Sequence, residues 1–404
     1  MNYKKYFNQQ LKYKKLILCL FFIILAILST FFGHNMVFAE NANNEAYESG
    51  LSQVVDDIVS GIDLNELEFV LKDLDSIELF NGSIKDKILD ILKGEYFTNY
   101  TSIFSRIISI FFVDLKEYLP FLFSILAIGI LSNLMKEFGS DKGSTKDIVH
   151  FVCFSFMTII ILVVFKDVLG VTSITINNIL KQIKIVFPIL IVLLSSIGSF
   201  SAISIYNPLV AVLTTIVTFV FDKLLYPMFI ILFVFTIIGS LTETVKLDKF
   251  QGFLSSSFKW IVGIVFTLFT GFLSVQGISA GRYDSVSIKA TKFAVKSYIP
   301  IIGSYISEGM DFLVLGSVLV KNTIGLVGIL IIFVTIISPV ISILVLKLGL
   351  QLCSAILELS GSNRMSNFIS SCSKILIYPI VIILAMAFMY TITIALIMCT
   401  ANIF

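Results

Sequence analysis

Few side chains in this 404-residue sequence have the types and spacing that acid–base, nucleophilic or metal chemistry needs. His34 and His150 are the only histidines, and H-E-x-x-H is absent, so no His-built metal site or proton relay is expected. Cys19, Cys153, Cys353, Cys372 and Cys399 include no C-x-x-C pair, and none falls in residues 40–118. Buried small hydrophobes are their expected role. Gly143-Ser144-Thr145-Lys146 lacks the glycine-rich loop that cradles phosphates. Asp56-Asp57 is a carboxylate pair, and a solvated helix face accounts for it. The sequence therefore predicts no enzyme, no cofactor and no metal site.

The polar chemistry that remains is concentrated in residues 271–328. Lys289, Lys292 and Lys296 recur at helical spacing and form one stripe. Ser287, Ala290, Ala294 and Tyr298 lie opposite, small enough for close packing. Gly277 and Gly281 form a GxxxG, Gly303 and Ser307 a second small-residue pair, and Pro300 stands between them. Such a helix suits packing on other helices with its ammoniums toward water or anionic groups; an ordinary solvated connector is the competing reading. Lys321-Asn322 then interrupts two apolar runs. Within a single span Lys321 would sit near mid-bilayer, at about 2.5–3.5 kcal/mol on insertion scales. A broken or re-entrant arrangement avoids that cost, with Asp311 or Glu308 as counter-charge. The residues would then line a polar conduit, or Lys321 would simply snorkel from a helix end. Residues 279–322 are thus expected to be a non-spanning insert.

The elements that must position these residues are membrane helices. Hydrophobic residues make up 57% and charged residues 14% of the chain, against about 25% charged in soluble domains. Charge is segregated. Residues 1–39 carry five Lys and no acid, residues 40–118 carry 16 acids and 6 bases, and residues 119–404 carry 18 bases and 11 acids. No basic block resembles a nucleic-acid footprint. Lys4, Lys5, Lys12, Lys14 and Lys15 precede an apolar run that ends in Val37-Phe38-Ala39, the pattern of a signal peptide cleaved after Ala39; an uncleaved anchor is the alternative.

Residues 40–118 read as a small acidic extracytoplasmic domain of short amphipathic helices. In the first, Leu51, Val54, Val55, Ile58 and Val59 form the apolar stripe. Residues 96–118 read as an interfacial helix. The body, 119–404, offers spans at 119–135, 148–165, 185–202, 208–221, 224–241, 260–278, within 312–346, and at 375–398. The expected fold class is an all-α, polytopic membrane protein of seven or eight spans. With residue 40 outside, loops 136–147 (Lys136, Lys142, Lys146) and 242–259 (Lys246, Lys249, Lys259) fall inside, as the lysine rule requires. Residues 279–311, with Arg282 and three Lys, fall outside, against the rule.

The order of features in 271–328 resembles the stage III sporulation protein AE family of endospore-forming bacteria: GFLSVQG, then KATKFAVKSYIPIIG, then a Gly-rich run ending VKNTIGLVG. The leader, the acidic segment, Asn207-Pro208 and the hydrophobic tail fit as well. The resemblance implies a multi-pass protein of the mother-cell membrane facing the engulfed forespore. It would be one subunit of a secretion-like channel complex needed after engulfment. Its partners would be the other membrane proteins of the stage III A operon, a forespore membrane protein and a separate ATPase subunit. The resemblance supplies no catalytic residues. A self-sufficient secondary transporter and a membrane scaffold for other subunits are the competing functions.

Overall fold

The computed structural model describes residues 45–61, 100–138, 143–241, 247–298 and 302–400, and all regular structure among them is helical. The leader and most of the acidic segment lie outside the described residues. Helix α1 (Glu45–Gly61) is described by itself. Val55 and Val59 are buried on it while Asp56 and Asp57 are exposed, the stripe its sequence calls for.

The body consists of α2 (Tyr100–Phe138), α3 (Gly143–Ser196), α4 (Phe200–Ile216), a π-helical segment (Val217–Leu225), α5 (Tyr226–Leu241), α6 (Asp248–Tyr298), α7 (Ile302–Leu359), α8 (Asn363–Ile375) and α9 (Ile377–Cys399). Six stretches are long and apolar enough to cross a membrane: Ile107–Met135, Ile148–Ser196, Phe200–Ser240, Lys249–Leu273, Gly309–Leu359 and Asn363–Cys399. That is fewer than the seven or eight expected, because apolar runs that look separate in sequence share one helix. Runs 148–165 and 185–202 both contribute to α3. Runs 208–221 and 224–241 are joined through the π-helical segment. Residues 96–118, expected as a separate interfacial helix, supply the first half of α2 from Tyr100 onward.

Two physical reasons underlie the merging. Pro120, Pro188, Pro208 and Pro339 all lie inside helices; in apolar surroundings neighbouring helices restore the lost backbone bonds, so proline is a poor boundary marker. On α3 the polar middle also keeps its inward face. Ile161, Phe165, Val168, Thr172, Ile176, Ile179, Ile183, Phe187, Leu190 and Leu194 are buried in one stripe at spacings of three and four. A stripe unbroken over that length makes one helix of the whole segment.

Side-chain contacts fix the direction of each helix. Tyr118 Oη lies 2.9 Å from Ser342 Oγ, Cys353 Sγ donates to Leu122 O at 3.7 Å, and Asn133 Nδ2 donates to Ser360 O. Numbers rise together, so α2 and α7 are parallel. Gln182 pairs with Thr335 while Gly328 faces Val186, so α3 and α7 are antiparallel. Ser354 pairs with Ser366, Ser373 with Lys347 O and Lys321 with Met398 O, so α8 and α9 return along nearly the full length of α7. Phe165 stacks on Phe229 and Phe233, and Tyr226 Oη donates to Leu169 O, so α5 opposes α3. Tyr378 meets Phe258 and Phe388 meets Phe266, so α6 runs with α9. The six stretches alternate up and down.

Two reversals are built alike. Gly198 (φ 81°) and Gly361 (φ 83°) adopt the left-handed conformation open to glycine. Behind each, the following Ser donates back into the finished helix, Ser199 N to Leu194 O and Ser362 N to Leu357 O, both at 3.0 Å. This is the Schellman closure of a helix C-terminus. Phe138, Gly143, Leu241, Asp248 and the 360–362 reversal lie toward one end of the bundle; the α3–α4 reversal and Thr400 lie toward the other.

Candidate functional site

Lys321 is completely buried. Helix α7 is continuous through Lys321 and Asn322, so the expected break or re-entrant turn there does not occur. The lysine instead finds polar partners at the C-terminal end of α9, where the last carbonyls of a helix have no intrahelical donor. Its Nζ donates to Met398 O at 3.1 Å and to Thr400 O. A cation at this end also meets the negative pole of the helix dipole. Tyr206, buried on α4, completes the cap: its Oη lies 3.2 Å from Leu396 O and 2.5 Å from Thr400 Oγ1. One side chain from α7 and one from α4 thus close the last turn of α9. Asp311, expected as counter-charge, is exposed and stands ten residues away, about 15 Å along the helix. Carbonyl oxygens do that work here.

A second polar set lies deeper between α3, α7 and α9. Gln182 Nε2 donates to Thr335 Oγ1 at 2.6 Å, and Thr335 donates on to Ile331 O at 2.8 Å. Gln182 Oε1, Tyr390 Oη and Asn322 Oδ1 are buried without a hydrogen-bond partner. Tyr390 packs edge-on against Phe187, centroids 5.7 Å apart. A methyl group added at Gly328 would meet Val186 at 3.0 Å, Ile394 at 3.1 Å and Tyr390 Oη at 3.3 Å. These glycine contacts bring the three helices together, and the Gln182–Thr335 bond ties α3 to α7 in one register. Among the described residues no three His, Cys, Asp or Glu side chains gather as a metal site.

The other sequence-derived residues are distributed along one hairpin. Gly277, Gly281, Lys289, Lys292 and Lys296 lie on α6, and Gly303, Asp311, Lys321 and Asn322 on α7. Pro300 lies outside the described residues, as do the side chains of the three lysines and the packing around Gly277, Gly281 and Gly303. Position on the backbone is nevertheless informative. The pairing of Phe266 with Phe388 sets residue 278 level with Thr400. The twenty residues from there to Tyr298 carry α6 about 30 Å farther. Residues 302–320 carry α7 a similar distance beyond the level of Lys321. The lysine stripe therefore sits on a helical arm past the end of α9. Sequence reasoning picked out Lys321 but missed Tyr206, Gln182 and Tyr390. The available signal was their place at helical spacing among apolar residues: Gln182 with Ile179 and Val186, Tyr206 with Ala202 and Leu209, Tyr390 with Met386 and Ile394.

Six long apolar helices in up-and-down order, with buried polar side chains tying helix to helix, define a multi-pass helical membrane protein. The model of the stage III sporulation protein AE family matches residues 83–401, and the chain belongs to that family. Among curated proteins it is similar to stage III sporulation protein AE of Bacillus subtilis (strain 168), 23% identical over 273 residues that cover 68% of each chain. No solved structure matches it. Family membership implies a role in stage III of sporulation.

Proposed function

We propose that this protein is a non-enzymatic membrane subunit of the secretion-like channel complex of sporulating cells. It would lie in the mother-cell membrane around the forespore and be required for forespore development after engulfment. Its partners in this reading are the other membrane proteins of the stage III A operon, a forespore membrane protein and a separate ATPase subunit. The observation that carries the reading is the family match, which spans the whole membrane body. The bundle supports it: Lys321, Tyr206 and Gln182 tie helix to helix, as suits a subunit that holds its form within a larger assembly.

Deletion of the gene tests the proposal. Vegetative growth should be normal, engulfment should finish, and development should then stop, with restoration by the intact chain. A mutant that completes spores at normal yield would refute it. Replacing Lys289, Lys292 and Lys296 together by Ala tests their contribution. Spore yield should fall while the other subunits still co-purify; unchanged yield would remove the stripe from the mechanism.

A further inference from the structure

The bundle is too tall for one bilayer. The stretch Ile148–Ser196 rises about 73 Å at 1.5 Å per residue, against about 30 Å of hydrocarbon. Lipid can cover less than half of it, and the outward face of α3 changes character along its length. Up to Val163 the most exposed side chains are Ile148, Phe151, Phe156, Ile159 and Val163, between 55% and 61% exposed, with Val152 and Leu162 at 44%, all apolar. From Lys166 the same face presents Asp167, Gly170, Ile174, Asn177, Lys181 and Lys184 at alternating spacings of three and four. Two lysines and an asparagine on one outward stripe would be costly in hydrocarbon, each lysine at about 2.5–3.5 kcal/mol on insertion scales.

Neighbouring helices change at a similar height. On α2 the exposed apolar face runs from Leu119 to Met135 and gives way to exposed Lys116 and Glu117. On the α4–α5 helix, Ile231, Val234 and Ile238 are exposed below an Asp222–Lys223 ion pair of 2.9 Å. Tyr118 and Tyr226 lie in this zone, as tyrosines do at membrane–water boundaries. The opposite boundary carries Lys136 on α2 and Asp147 on α3. From Glu117 to Lys136 and from Asp147 to Lys166 are nineteen residues each, about 28 Å of helix, close to one hydrocarbon thickness.

We infer that the bilayer wraps only the half of the bundle nearest the 139–142, 242–247 and 360–362 reversals. The other half, with the cap around Lys321 and the α6–α7 arm, stands clear of lipid as a helical head whose α3 stripe faces water. The reversals on the lipid-wrapped side carry Lys136, Lys142, Lys146, Lys246 and Lys249 beside five acids; the orienting rule counts lysine and arginine rather than net charge, and places them in the cytoplasm and the head outside. The same placement narrows the conflict over 279–311 to Arg282, nine residues past Leu273. Lys289, Lys292 and Lys296 lie about 16 to 23 residues past Leu273, at or beyond the reach of charges that orient a span. Other faces of the head stay apolar: Phe112 and Val113 on α2, Val192 on α3, Phe200 and Phe219 before Asp222, and the outer face of α6 from Phe253 to Phe272 are exposed. An apolar face of that kind on a head outside lipid is a protein-contact face. The inference needs only a multi-pass chain and stands apart from the channel proposal.

The test is cysteine labelling of the full-length chain in intact protoplasts with a membrane-impermeant maleimide. In a background with the native cysteines replaced by Ser, Asn177→Cys, Lys181→Cys and Lys184→Cys should label at least about tenfold more than Phe156→Cys and Ile159→Cys. The unaltered chain gives a reading free of folding risk: exposed Cys399, in the head, should label, and half-buried Cys153, in the lipid-wrapped half, should not. Silence of the three upper sites, labelling of them only after permeabilisation, or equal labelling of Phe156→Cys and Ile159→Cys would each overturn the inference. So would a Cys399 that stays unlabelled in the unaltered chain.

Discussion

Lys321 shows how a lysine can be buried without a carboxylate partner. Its two acceptors are carbonyls that the end of α9 would otherwise leave unpaired, so one side chain relieves two orphans. Lys321→Met keeps the apolar stem and removes the donors, and it should destabilise the protein by about 1–3 kcal/mol, the cost of leaving buried acceptors unpaired. Thermal unfolding in detergent reads that loss. Tyr206→Phe removes a donor at the same turn, and the two changes should couple by about 0.5 kcal/mol or more, as groups sharing one network do. Strict additivity in the double mutant would show that the two side chains serve separate purposes.

The bundle is held at the scale of elements by helices that approach where side chains are missing. At Gly328 the neighbours are the tips of Val186 and Ile394 and the Tyr390 hydroxyl; at Gly325 they are Met398 and Ile394. Gly328→Val should separate α7 from α3 and α9 and cost about 1–3 kcal/mol, as overpacking of a filled core does. Gly325→Ala should cost less, because the flexible Met398 can move aside. Gly263→Ala and Gly271→Ala have nothing within 4 Å of the added methyl and should be neutral or slightly stabilising. Detergent melting curves of the four variants rank them; a Gly328→Val protein as stable as the unaltered one would remove close approach as the reason for that glycine.

The sequence revealed these elements unevenly, and for identifiable reasons. Apolar composition made the helical class plain, and the Val55/Val59 stripe of α1 was visible from spacing alone. Boundaries were lost where proline and charge looked like punctuation. Pro188 and Pro208 lie inside continuous helices, and Asp222 with Lys223 lies in a π-helical turn rather than a loop. Lys321 stood out as anomalous, yet its partners are 77 and 79 residues away, a pairing that local sequence does not encode. The same holds for Gln182 and Thr335, 153 residues apart.

For the whole molecule, alternation of the helices makes a statement about sides. The parallel pairing of α2 with α7 and of α6 with α9, beside antiparallel α3 with α7 and α7 with α9, requires an odd number of reversals between antiparallel partners and an even number between parallel ones. Six stretches satisfy this. Merging two pairs of expected spans removes two crossings, so every later segment keeps the side that eight spans would have given it. Residues 100 and 400 must therefore share one side of the membrane. A periplasmic-type phosphatase, active only when exported, should be inactive when fused after residues 138, 241 and 361. It should be active when fused after residues 198 and 400. Activity at 241 with silence at 198 would invert the chain and place the arm in the cytoplasm. Activity differing between 138 and 241 would mean that α3 together with the α4–α5 helix does not cross twice, and the six-helix alternation would fail with it.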